Sequence, residues 1–348
     1  MYGSSRRLRG LVMWRLLGVF CCLGLVIWWA GCRRGPEGGT GGAGRRSGSK
    51  VIAVIPKSMG GEFWETVEQG ARQAAGELGV EMKWQGPLTE TEIAEQNKII
   101  ENMVNLGVDG IALAPLNPKA MRKSVETAVE AGIPVVIFDS AVDGNVHSSF
   151  VATNNKYGGV LGARHLIELL GGQRRRVMVM RYVQGTASTE ARAAGFLETM
   201  GEAGMEVVAD PYAEDGTVAG AKKTASNTLE SFTRDNRLEL DGIFACNDRA
   251  TLGMLDALQD LRKGGVEVDV KFVGFDFTPR LVEALQAGQL DALVVQNPRK
   301  MGYLAVKTLV DVLNRKPVES FIDTGVQVAT AERLAADEAL RKLVGAKP

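Results

Sequence analysis

The sequence predicts an α/β chain built from two parallel-sheet halves, on three observations. Short β-branched runs, apolar throughout, alternate with segments whose apolar residues recur every three or four positions. The alternation starts at residue 51, pauses near 152 and then restarts. Strands that are apolar on both faces belong in a parallel sheet covered on both sides. The 348 residues are enough for two such cores, and a hydrophobic content of 45% excludes a wholly disordered protein.

Residues 51–55 (VIAVI) read as the first strand, and Phe63, Val67, Ala71, Ala74 and Leu78 mark one face of the helix after it. A strand at 80–84, a helix carrying Ile99, Ile100, Met103 and Val104, and a strand at 109–114 follow. Met121, Val125, Ala128 and Val129 mark the next helix, and strands at 134–138 and 149–152 end the first half. The second half reads as helix 157–170, strand 177–180, helix 189–201, strand 206–209, helix 216–233 and strand 242–245. It continues with helix 249–262, strand 270–275, helix 279–287 and strand 292–295. A helix from about 299, two extended pieces near 318–329 and a helix at 331–343 complete the chain. Asp235-Asn236-Arg237 reads as a helix-to-strand turn, since it lacks the alternating oxygen ligands of a calcium loop. Met103, Met254 and Met301 read as core, and Cys246 as a small buried residue.

The net charge of zero hides an asymmetry. Residues 1–49 hold eight arginines against Glu37 alone, a net of +7, which leaves −7 for the rest. A body of that sign gives no case for nucleic-acid binding. Arg6, Arg7, Arg9 and Arg15 precede an apolar run at 16–31, the charge-then-apolar order of a secretory signal. The run ends Trp29-Ala30-Gly31-Cys32 and resembles a bacterial lipoprotein signal, in which the cysteine is lipidated after cleavage; Trp29 stands where leucine is usual. The rival reading is an uncleaved signal anchor. Residues 1–31 are thus assigned as a signal peptide and 32–49, rich in Gly and Arg, as a lipid-anchored flexible linker.

Polar residues follow several strand ends at once: Asn117, Asp139-Ser140, Asn247-Asp248, Asp276 and Gln296-Asn297. Ligands of open α/β sheets bind beyond the carboxyl ends of strands. Asp139, Asn247, Asp276 and Gln296 are therefore candidates for one cleft; the plain alternative is that they mark turns. Thr153, Tyr182 and Glu214 join Asn117 as secondary candidates. Enzyme signatures are missing. No GxGxxG follows the first strand, and there is no GxSxG elbow and no P-loop. His147 and His165 are the only histidines, and no Cys/His group has zinc spacing. Asp139 and Asp276 would serve as a glycosidase pair only if one had a raised pKa.

The ordered segments IAVIPKSMGGEFW (52–64), GVDGIALAPLNP (107–118), AGIPVVIFDS (131–140), VATNN (151–155), EARAAGF (190–196), GIFACND (242–248), VGFDFT (273–278) and VVQNP (294–298) resemble the periplasmic sugar-binding proteins of the ribose-binding type. These are the extracytoplasmic receptors of ABC importers, and their fold is shared with LacI-type effector domains. The resemblance implies a type I periplasmic-binding-protein fold: two Rossmann-like lobes joined by three crossovers, near 152–154, 296–298 and 323–326. It implies a first lobe of 50–153 plus 297–324 and a second of 154–296 plus 325–348. It further implies Phe63 and Trp64 on the two faces of a sugar ring, and Asp139, Arg192, Asn247, Asp276 and Gln296 on its hydroxyls, with Ser140 where ribose binders carry arginine. Gly61-Glu62 likewise replaces Asn-Pro. These departures leave a pentose, hexose or related polyol as ligand.

From the chemistry of the carboxylates we expect Asp139 and Asp276 to pair with Arg192 in the empty cleft. The expected partners are a monosaccharide and an ABC permease, with membrane contact through the anchor, a monomeric body, no cofactor and no metal. Alternatives are a sensory sugar receptor for a membrane kinase or chemoreceptor, a repressor effector domain, for which no DNA-binding head precedes residue 50, and a glycosidase-like enzyme.

Overall fold

The chain builds two six-stranded sheets and passes between them three times. The structure is a computed structural model that describes residues 48–172 and 175–346. The signal run, Cys32 and most of the linker lie outside the described residues. The first series is β1 (Val51–Ile55), α1 (Glu62–Leu78), β2 (Glu81–Trp84), α2 (Ile93–Leu106), β3 (Gly110–Leu113), α3 (Pro118–Glu130), β4 (Val135–Phe138) and β5 (Ser149–Ala152). The second is α4 (Asn155–Leu169), β6 (Arg176–Met180), α5 (Ala187–Glu202), β7 (Glu206–Ala209), α6 (Val218–Ser231), β8 (Thr233–Arg234) and β9 (Arg237–Leu238). It goes on through β10 (Gly242–Ala245), α7 (Asp248–Lys263), β11 (Lys271–Phe275), α8 (Pro279–Gln286) and β12 (Ala292–Gln296). Then come α9 (Pro298–Leu313), β13 (Phe321–Asp323), β14 (Val326–Ala329), α10 (Ala331–Ala336) and α11 (Glu338–Val344).

The first sheet has the order β13-β5-β4-β3-β1-β2 and the second β14-β12-β11-β10-β6-β7. Every pairing in them is parallel except β12 with β14. The chain crosses after β5, returns after β12 so that α9 packs on α1, and crosses again between β13 and β14. Within the central strands, Ile52 to Ile55, Ile111 to Leu113 and Ala292 to Val295 are all fully covered, while the edge strands β2 and β7 are part exposed. Met103, Met254, Met301 and Cys246 are core residues, as their positions predict.

Matching glycine contacts set the helix spacing in each half. In the first, a Cβ on Gly70 would lie 1.9 Å from the Arg299 carbonyl oxygen, and one on Gly302 2.0 Å from that of Val67. In the second, Gly159 meets the Arg192 carbonyl at 1.9 Å and Gly195 that of Lys156 at 2.1 Å. The α1–α9 and α4–α5 backbones thus touch where no side chain fits. Gly159→Ala forces α4 away from α5, which carries Arg192. We expect a stability loss of about 1–3 kcal/mol, read as a lower urea midpoint; an unchanged midpoint contradicts the close approach.

Two local readings are corrected. Asp235 and Asn236 are the tip of a β8–β9 hairpin, with φ of 47° and 60°. A two-residue turn that matches strand twist needs positive φ at both positions, which Asp and Asn tolerate. The predicted helix 331–343 is two helices. Asp337 takes an extended conformation (φ −108°, ψ 103°), ends α10 and accepts from the Leu340 amide as the N-cap of α11. The apolar period runs on through Asp337, so periodicity could not show the break.

Candidate functional site

The carboxyl ends of both sheets face one another across a small cavity. Asp139 follows β4 and Asp276 follows β11, the corresponding strands of the two sheets. Their amides donate to the carbonyls of Val151 and Val294, on the adjacent strands. Both residues lie in the left-handed region, with φ of 61° and 67°. Strained backbone of this kind persists where its surroundings fix it, commonly at functional sites. The repeated Phe-Asp after an apolar strand is the sequence trace of this equivalence.

Phe63, Trp64, Asp139, Arg192, Asn247, Asp276 and Gln296 line the same cavity, joined by Lys57, Glu90, Thr186, Ser188, Asp248 and Arg249. Its volume of about 30 Å³ is room for one or two waters. The charges are nearly matched. Lys57 Nζ sits 2.6 Å from Asp139 Oδ2, both almost wholly buried, and donates to Ser188 Oγ at 3.0 Å. Arg192 is anchored by Asn155 Oδ1 (2.8 Å) and the Cys246 carbonyl (2.9 Å), lies over the Phe275 ring, and reaches Asp276 Oδ2 at 3.5 Å. Gln296 donates to Asp276 Oδ1 at 2.6 Å. The expected pairing is therefore half corrected: Arg192 faces Asp276, but Asp139 is paired with Lys57. Lys57 was missed because the proline before it reads as a loop; the rule that flagged other strand ends also applies to β1.

The aromatic pair is also corrected. Phe63 and Trp64 meet edge to face, with centroids 5.0 Å apart and planes at 89°. Neighbours on a helix point about 100° apart, so they cannot clasp a ring between them. Trp64 is fixed by its indole N–H on Glu90 Oε1 (2.9 Å) and packs edgewise on Phe138.

The remaining candidates lie elsewhere. Ser140 is buried below the cavity, where its hydroxyl accepts from the Ser188 amide at 3.1 Å, so the first half supplies a cap to α5 of the second. Asn117 caps α3 and donates to the Gly185 carbonyl at 3.3 Å. Thr153 donates to Gln296 Oε1 at 2.7 Å and lies 3.2 Å from Thr324 Oγ1. One polar side chain from each crossover thus meets in one cluster, and Gln296 ties that cluster to Asp276. Tyr182 is buried beside the cavity, donating to the Gly216 carbonyl and accepting from Arg249. Glu214 is on the surface, paired with Lys223 at 2.7 Å.

Burial raises the pKa of Asp276 against the opposing pull of Arg192. Asp248 is pushed up to about 7, first by desolvation and then by Asp276. A carboxyl with a raised folded pKa binds more protons folded than unfolded, so stability falls as pH rises through the interval between the two values. We expect the wild-type urea midpoint to be higher at pH 5 than at pH 7.5, and Asp248→Asn to lose much of that difference. An equal pH response in the variant contradicts the assignment. Asp276 shares the glycosidase requirement of a raised pKa, but its oxygens are engaged by Gln296 and Arg192. Among the described residues no cluster of three or more metal-ligating groups occurs, and no helix is long and apolar enough to cross a membrane.

Residues 52–317 match the periplasmic binding protein domain. The D-allose-binding periplasmic protein of Escherichia coli is 30% identical over 267 residues, 74% of this chain and 83% of that one. The D-ribose/D-allose-binding protein of Pseudomonas aeruginosa is 29% identical over 294 residues, 80% and 88% of the two chains. Among solved structures, an ABC transporter solute-binding protein of Agrobacterium vitis with bound D-fucose has a TM-score of 0.78 and 35% identity, covering 84% of this chain and 99% of its own. A carbohydrate transporter solute-binding protein of Agrobacterium radiobacter in complex with D-arabinose has a TM-score of 0.78 and 29% identity, covering 85% and 99%. These relatives are named for binding and transport, not catalysis. Two parallel-dominated sheets, three crossovers and a cleft at the strand ends agree with that match, and the chain belongs to the periplasmic binding protein family.

Proposed function

We propose that this protein is the extracytoplasmic sugar-binding component of an ABC importer. It takes a neutral pentose or hexose between lobes formed by 50–153 plus 297–324 and by 154–296 plus 325–348. The observation that carries the reading is the convergence of seven side chains of suitable chemistry on one cavity. Aspartates accept, arginine and lysine donate, and Asn247 and Gln296 do both, which suits hydroxyls that are donors and acceptors at once. Four acids, Asp139, Asp248, Asp276 and Glu90, against three bases, Lys57, Arg192 and Arg249, favour a neutral ligand over an anion. The rings of Phe63 and Trp64 offer apolar contact for the C–H face of a sugar.

A cavity of about 30 Å³ does not admit a sugar ring. In this proposal the lobes part, and the Lys57–Asp139 and Arg192–Asp276 pairs turn toward ligand hydroxyls on reclosure. Closure then presents the loaded form to a permease. The order of charge, apolar run and Cys32 supports a lipid tether, and residues 32–49 would serve as the leash. A thermal-shift screen of the full chain against D-ribose, D-allose, D-arabinose, D-fucose, D-glucose and D-galactose tests the reading. A ligand that binds only the folded form raises Tm, by about 2.7 kcal/mol of stability at 100 times its Kd. No shift with any of them, or with other pentoses, hexoses and polyols, overturns the proposal.

A further inference from the structure

A second cavity, of about 670 Å³, adjoins the first and shares Phe63 and Asp276 with it as walls. It lies between the N-terminal ends of α1 and α9 on one side and the start of α8 with α11 on the other. Its volume falls within the roughly 300–1,000 Å³ of small-molecule sites. Its walls repeat the chemistry of the main cavity. One aromatic ring comes from each half, Phe63 and Phe277, and Thr66 and Asn297 bring polar groups able to meet hydroxyls. Glu62, Glu65 and Asp276 stand against Arg299 and Lys342, a near balance that does not favour an anionic group.

We propose that the preferred ligand is a glycoside: one sugar ring in the main cavity, joined to a second hydroxyl-bearing unit that occupies the adjoining chamber between Phe63 and Phe277. The proposal rests on the sugar-binding reading and narrows its substrate class. Phe63 and Asp276 line both cavities, so in this proposal a substituent on the bound ring enters the chamber past these two side chains when the lobes part. A free monosaccharide leaves the chamber to water, and a disaccharide gains a second stacking face and further hydrogen bonds.

Calorimetric titration of the full chain with cellobiose, maltose, lactose and trehalose, beside D-glucose and D-galactose, tests this. One disaccharide is expected to bind at least about tenfold tighter than its constituent monosaccharides. Gln69→Trp, an exposed position lining the chamber, fills it and removes that advantage while monosaccharide affinity is kept. Phe277→Ala reduces disaccharide affinity by about tenfold, the loss of roughly one aromatic contact. Monosaccharide binding with no tighter disaccharide overturns the chamber proposal and leaves the sugar reading standing. A disaccharide advantage that survives both substitutions places the second unit elsewhere and also overturns it. Failure of every sugar overturns both.

Discussion

Asp276→Ala is expected to weaken sugar binding by about 100-fold or more, because each lost charge-assisted hydrogen bond is worth roughly 1.5–3 kcal/mol. Asp276 receives Gln296 Nε2 at 2.6 Å and faces Arg192 at 3.5 Å. Its removal takes an acceptor from the ligand and leaves a buried guanidinium less well paired. Alanine also fits poorly at a φ of 67°, so part of any effect reflects backbone strain. Asp276→Asn separates the two causes. Asparagine tolerates this conformation and keeps the side-chain volume, but loses the charge. Calorimetric titration of both variants should show large affinity losses, with the asparagine form losing less thermal stability than the alanine form. Near wild-type affinity in either removes Asp276 from the site.

Lys57→Met should cost stability before it costs anything else. The Lys57–Asp139 pair is 2.6 Å long, with side chains 3% and 5% exposed. Breaking such a pair from one side leaves an uncompensated buried charge, a loss of about 3–5 kcal/mol. Adding Asp139→Asn removes the stranded charge and should restore much of the loss at pH 7. Urea midpoints of the two single variants and the double variant measure the coupling. Additive losses would show that the two groups do not interact.

The fold was legible because its central strands are apolar on both faces and its helices keep a regular period. Both signals are local. The β8–β9 hairpin and the break at Asp337 escaped, since one depends on φ at two polar residues and the other interrupts a period that continues past it. The cleft was legible through residues that end strands, because the topology brings all those ends together. Lys57 ends a strand too, but it follows a proline. Glu90 has no such signal: it lies in the β2–α2 loop, and only tertiary packing puts it on Trp64. Ser140 and Thr153 sit next to strand ends but turn to other work, capping α5 and joining the cluster at the crossovers. Proximity along the chain could not separate these roles from ligand contact. The angle between Phe63 and Trp64 follows from their adjacency on α1, a constraint present in the sequence and overridden there by the resemblance.

The most direct measurement is a crystal structure of the protein grown with the sugar that raises its Tm most. The account predicts one ring in the cleft against Phe63 and Trp64, its hydroxyls within hydrogen-bonding distance of Asp139, Arg192, Asn247 and Asp276. A sugar bound away from these four side chains, or found chemically altered, would contradict it.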